Sequence, residues 1–210
     1  MKLFILAALG ALCLAALAFA EDVPRIVYSK SFPGSDPAYV EISIDRAGMV
    51  AYKESADDDP ETFKLDADST ARFFDLAEKL DHFKHPVESG LKVANMGVKT
   101  LRWETGDEKT EVKFNYSLDE SAKILWDGFE RITESERLLI VLRRAMRHDK
   151  LGVNDAVMNV QESWDRKRLA AADQFLPLLD QIARNDVFMH MSRERAAQIA
   201  EAIRATMKPQ

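Results

Sequence analysis

Near residue 118 the spacing of apolar residues changes from every second position to every third or fourth. No other property of the chain constrains its fold as tightly. Before that point Ile26 and Tyr28 alternate with polar neighbours. So do Val40, Ile42 and Ile44, then Val50 and Tyr52, then Phe63 and Leu65. Period two with β-branched and aromatic residues predicts half-buried strands. Asp45-Arg46-Ala47-Gly48 reads as a hairpin loop in which Gly48 takes a positive φ, and Asp57-Asp58-Asp59-Pro60 as a further turn.

One helix interrupts the strands. Asp66 or Asp68 is placed to cap it, and Phe73, Leu76, Ala77, Leu80 and Phe83 fall on one face before Pro86, which is expected to end it. A loop bracketed by Gly90 and Gly97 leads to a second hairpin. Leu101 and Trp103 alternate on its first strand, Val112, Phe114 and Tyr116 on its second, with Gly106-Asp107 at the turn. The predicted class is α+β, with antiparallel strands packed on one helix.

From Asp119 the pattern is helical. Ala122, Leu125, Trp126, Phe129 and Ile132 form a stripe that continues through Leu139, Leu142 and Met146. Thr133-Glu134-Ser135-Glu136 has the form of a capping box, which would divide this stretch into two helices. Lys150-Leu151-Gly152 resembles a glycine C-cap, and Asn154 and Ser192 are placed to cap later helices. Pro177 must kink or restart another. The expected organisation is a leader over residues 1–20, an α+β domain over 21–118 and an all-α bundle segment over 119–210 packed against it.

Within residues 28–85 the residues Tyr28-Ser29, Gly34, Pro37-x-Tyr39, Ile42 and Gly48-x-Val50-x-Tyr52, followed by a capped helix with Leu76 and Phe83, form a pattern. It resembles an uncharacterised family of secreted bacterial domains. The resemblance implies several strands, a helix, more strands and a helix. The cysteines common in that family near the Gly and Pro positions are absent here, so no disulfide or metal role carries over. The family lends no activity.

Lys2, the apolar run from Leu3 to Leu17 and Ala18-Phe19-Ala20 follow the grammar of a cleaved secretory signal, which places the protein in the periplasm or outside the cell. A retained anchor and a lipoprotein signal are weaker readings. The run is rich in alanine, no basic stop-transfer cluster follows, and Leu12 precedes Cys13 where a lipobox needs a small residue. Cleavage would remove the single cysteine, and with it disulfides, thiol nucleophiles and thiolate ligands. No later segment is apolar enough to span a bilayer. Of 29 basic and 35 acidic residues only Lys2 is lost, which leaves a net charge of −7. Residues 21–130 carry 14 basic and 24 acidic side chains, a net −10, and residues 131–210 carry 14 and 11, a net +3. This balance argues against nucleic acid as a partner.

Candidate chemistry is sparse. His82, His85 and Glu88 have a metal-like spacing at a helix end, although Pro86 interrupts the turn that would align them. Met189-His190-Met191 offers soft ligands of the kind Cu(I) prefers, and Asp57-Asp58-Asp59 departs from a calcium loop at Pro60. No nucleophile elbow, P-loop or dinucleotide fingerprint occurs, so neither catalytic residue nor cofactor is assigned. The loop from Glu88 to Gly97 reads as a binding segment, or else as an ordered crossover that packs Val93 and Met96 into the core. The expected function is a non-catalytic binding or interaction module of the cell envelope, its partner a protein or another envelope component. The alternative is an envelope hydrolase or metal-dependent enzyme built on His82, His85, Glu88 and Ser89. Helical periodicity fits an apolar face covered by the chain's own sheet or by a second copy.

Overall fold

The alternating segments form β1 (Arg25–Ser31), β2 (Tyr39–Asp45), β3 (Met49–Lys53), β4 (Glu61–Lys64), β5 (Val98–Thr105) and β6 (Glu108–Phe114). In the computed structural model, which describes residues 23–207, they make one antiparallel sheet in the order β4-β3-β2-β1-β5-β6. The predicted leader, its cleavage site and Cys13 lie outside the described residues. Register follows the alternation, because a slip of one residue would turn every apolar side chain to water. Tyr28 on the central strand pairs with Ile42 on one side and Leu101 on the other. All three are buried on the inner face, with Ile26, Ile44, Tyr52 and Trp103. The opposite face carries an ion-pair lattice in which Glu104 meets Arg25, Arg102 and Lys109, and Glu111 meets Arg102 and Lys113. One face is core and the other is solvated.

Gly48 closes the first hairpin at φ +81°, as its turn requires. A Cβ there would also lie 2.9 Å from the carbonyl oxygen of Leu65. Of the two candidate caps for α1 (Ala67–Lys79), Asp66 serves, accepting from the Ser69 amide at 2.7 Å. Pro86 does not end this helix. The chain leaves it after Lys79, because Asp81, His82 and Phe83 take left-handed φ values of 46°, 50° and 63°. Phe83 therefore reaches the core from a 3-10 turn and not from the helix face.

The capping-box reading fails for a related reason. Thr133 and Ser135 donate their hydroxyls back to the carbonyls of Phe129 and Arg131, so α2 (Glu120–His148) runs unbroken for 29 residues, about 43 Å. Asp119 caps its start. Gly152 is not a left-handed C-cap either. Its φ is −67°, its amide donates to the Asp149 carboxylate, and α3 (Val153–Asp165) starts directly after it. Asn154 thus sits inside the first turn of α3. Pro177 restarts the chain as α4 (Leu176–Arg184), and Ser192 is buried within the first turn of α5 (His190–Met207) without capping it.

Two clusters of buried side chains share α2. The inner sheet face and α1 pack on Ala122, Leu125, Phe129 and Ile132. Leu139, Leu142 and Ala145, further along, belong with α3, α4 and α5. The ring of Phe129 stacks on Tyr28 with centroids 4.8 Å apart and meets the edge of Phe73 at the same distance. Gly128 lets α1 come this close, since a Cβ there would meet the Phe73 ring at 2.8 Å.

Polar groups fasten the middle of α2. Glu130 accepts from the Tyr28 hydroxyl at 2.6 Å and from Lys30 at 2.9 and 3.0 Å. One turn and a half later, buried Glu136 accepts from the Gln174 amide at 2.8 Å. Burial pushes its carboxyl above the ordinary carboxylate value, and the Gln174 hydrogen bond and the Arg143 charge offset this in part. The folded protein then keeps a proton that the unfolded chain releases above about pH 4.3, so stability falls as pH rises through that value toward the folded pKa. Glu136→Gln keeps an acceptor for Gln174 and removes the titration. It is expected to raise Tm by a few degrees at neutral pH and to leave it unchanged near pH 4, checked by thermal melts across that range.

Candidate functional site

The segment between α1 and β5 is ordered by side-chain hydrogen bonds more than by burial. The carboxylate of Glu88 accepts from the Asn115 amide at 2.6 Å, from the Ser89 hydroxyl at 3.2 Å and from the Gly90 amide at 3.4 Å. These bonds, the one from Asn115 above all, hold its carboxyl below the usual range. The side chain of Asn115 works in the opposite direction. Its Oδ1 accepts from the Met96 amide at 2.8 Å and its Nδ2 donates to the Ala94 carbonyl at 3.0 Å. The Ser89 amide donates to the carbonyl of Tyr116. The loop is thereby laced to the end of β6 at four points.

With the backbone fixed in this way, the apolar side chains face water. Leu91 and Met96 are each 52 % exposed, and Val93 and Val98 are exposed as well. The crossover expectation, with Val93 and Met96 in the core, does not describe this loop. An ordered loop that leaves three apolar side chains outside, with a fourth at the start of β5, is unusual, because burial normally supplies the order.

Beneath the loop lies a group that motif reasoning passed over. Lys99 is buried on the inner sheet face, its Nζ donating to the Asn115 carbonyl at 2.8 Å and lying 5.3 Å from the Trp126 ring centre and 5.9 Å from that of Phe114. Burial, and then the charge of its cross-strand neighbour Lys30, lower its pKa. The alternation of Leu101 and Trp103 carried back one step puts residue 99 inward, so this signal was present in the sequence. Asn115 gave none. Its part in the site follows from where β6 ends.

The metal-like residues do not converge. The His82 ring rests 4.2 Å from the centre of Trp103, and its carbonyl accepts from the Thr110 hydroxyl. His85 pairs with Asp81, and Glu88 is engaged as described. His190 pairs with Glu194, while Met189 and Met191 stand exposed beside it. Among the described residues no group of three His, Asp or Glu side chains is arranged to hold a metal ion. No described helix is long and apolar enough to cross a membrane.

Two of the clefts elsewhere flank the middle of α2. The larger, about 840 Å³, runs along the seam where α1 and the end of α5 meet the middle of α2, with Phe73, Ile132, Trp164 and Leu169 in its walls. Two of its polar groups serve the fold, Asp66 as a cap and Arg131 as a donor to the Arg168 carbonyl. The smaller, about 240 Å³, is lined by Lys30, Arg137 and Arg168, each already paired with Glu130, Asp36 or Glu134.

Asn115→Ala removes the two side-chain bonds that hold Ala94 and Met96. It is expected to raise amide exchange across residues 90–97 at least tenfold with little change in Tm, since opening a surface loop costs the core nothing. Exchange followed by mass spectrometry reads this directly. Comparison with known protein families finds no match, and no curated protein matches the chain.

Proposed function

We propose that the chain is a non-catalytic binding module of the cell envelope, exported by its leader, and that the loop from Glu88 to Val98 is its protein-binding surface. The observation that carries this reading is the loop itself: a backbone pinned by Glu88 and Asn115 with Leu91, Val93, Met96 and Val98 left in water. A preorganised apolar surface loses little conformational entropy on association, which is where much of the cost of binding lies. The partner it fits is a protein segment with apolar side chains, because four side chains of this size offer area without a charged or metal-dependent contact. The resemblance of residues 28–85 to secreted bacterial domains supports the compartment. The enzyme alternative is weakened by the partners its residues already have. His82 rests on Trp103, His85 pairs with Asp81, and Glu88 holds backbone amides.

The test compares the wild-type chain with Leu91→Asp/Met96→Asp. A partner retained from envelope extracts by the wild type, then purified, is expected to bind the variant at least tenfold more weakly, with both proteins melting at the same temperature. Equal binding by the two proteins refutes the loop as the surface. Stoichiometric zinc or copper in the purified protein, lost on His82→Ala or His85→Ala, refutes the non-catalytic reading.

A further inference from the structure

The helical half has an end that carries exposed apolar side chains and unpaired cations together. The Ser192 hydroxyl donates to Asn154 Oδ1 at 3.4 Å, which ties the first turn of α5 to the first turn of α3. The corner between α2 and α3 and the corner between α4 and α5 therefore sit side by side. On the first, Leu151 is 77 % exposed, and Met158 stands one turn further along α3. On the second, Val187, Met189 and Met191 are exposed. These five side chains are a third of the large exposed apolar residues among those described.

Charge at this end is unequal in availability. Arg144, Arg147 and Lys150 are exposed, and among the described residues none of them pairs with a carboxylate. Of the four acids nearby, exposed Asp155 accepts from Asn154 Nδ2 at 3.3 Å and pairs with no cation among the described residues, while the other three have partners. Asp149 accepts from the Gly152 amide, Asp186 pairs with Arg193, and Glu194 pairs with His190. Basic residues at the end of α2 also answer its dipole, but that accounts for none of the exposed apolar side chains. Neither cleft described above reaches this end, so the apolar groups project outward and do not line a groove.

Projecting apolar side chains on the corner that also carries exposed cations fit one kind of partner well. We propose that this end of the helical half docks on an anionic lipid surface, with Leu151, Val187, Met189 and Met191 entering the headgroup–acyl boundary and Arg144, Arg147 and Lys150 meeting lipid phosphates. A bilayer accepts apolar tips without needing a shaped counterpart, and its anionic leaflet attracts the cations that the fold leaves unpaired. A protein partner for the same end would have to supply both a matching hollow and its own carboxylates. The proposal is independent of the loop at Glu88–Val98.

Co-sedimentation of the full chain with phosphatidylglycerol–phosphatidylcholine vesicles, and with phosphatidylcholine vesicles alone, tests it. The wild type is expected to bind the anionic vesicles and not the neutral ones, and to weaken as salt rises. Each cation lost at the surface reduces partitioning about fivefold, so Arg147→Glu/Lys150→Glu is expected to lower it by about 25-fold or more. Leu151→Ser is expected to lower it about tenfold. All variants should melt with the wild type, and Leu91→Asp/Met96→Asp should bind vesicles normally. The proposal falls if the wild type does not bind anionic vesicles, or if it binds neutral vesicles equally, as a retained leader would cause. It also falls if the tip variants bind undiminished, or if soluble polyglutamate binds as tightly and Leu151→Ser makes no difference. That last result would point to an acidic protein.

Discussion

Replacing Phe129 with alanine is expected to lower the unfolding free energy by about 3–5 kcal/mol, a large share of the roughly 5–15 kcal/mol that holds a domain together. The side chain is fully buried and lies where three elements meet. Its face covers Tyr28 on the central strand and its flank receives Phe73 from α1. Truncation removes both aromatic contacts and leaves a cavity that neither neighbour can fill. Tyr28 is held by Glu130, and Phe73 packs on α2 where Gly128 leaves no room for a Cβ. Denaturant midpoints measure the loss. Phe129→Leu, which keeps most of the volume, should lose less than half as much. Equal losses would mean that the stacking geometry matters more than the space.

Glu130→Ala is expected to cost about 2–3 kcal/mol. The buried Tyr28 hydroxyl loses its acceptor, and Lys30 loses the carboxylate that balances it against its cross-strand neighbour Lys99. Two inward lysines would then stand side by side, with Glu88 the remaining carboxylate that acts on Lys99. Glu130→Gln separates the two effects. The amide oxygen still accepts from Tyr28, so the variant should lose only about 1 kcal/mol through the missing charge. Added salt should recover part of the loss in either variant if Lys30 and Lys99 repel, since screening acts on their mutual repulsion. A loss unchanged by salt would leave the Tyr28 hydrogen bond as the whole effect.

The strands were legible because one face of the sheet is core and the other is solvated, so alternation at Ile42–Ile44 or Leu101–Trp103 records burial directly. Helix ends were read less well, and for identifiable reasons. Pro86 and Gly152 carry strong local preferences, yet neighbouring residues set the chain direction at both places. Three residues with left-handed φ broke α1, and the Asp149 carboxylate turned the chain at Gly152. Thr133 and Ser135 have the composition of a cap. Inside a helix whose flanking residues are buried on both sides, their hydroxyls found carbonyls one turn back instead. The loop at Glu88–Gly97 stood out by length and by its glycines. Its exposed apolar side chains and its anchor on Asn115 depend on a contact 19 residues away, which no local pattern encodes.

A helix shared by two cores also sets an order on folding. A ribosome or a translocon releases the six strands and α1 first, with an inner face that α1 covers only in part until Phe129 and Ile132 of α2 arrive. The same helix then waits, half covered, for α3 through α5 to complete its far end. For that interval the nascent chain exposes a sheet face of tyrosines, isoleucines and tryptophan, the kind of surface that holding chaperones bind.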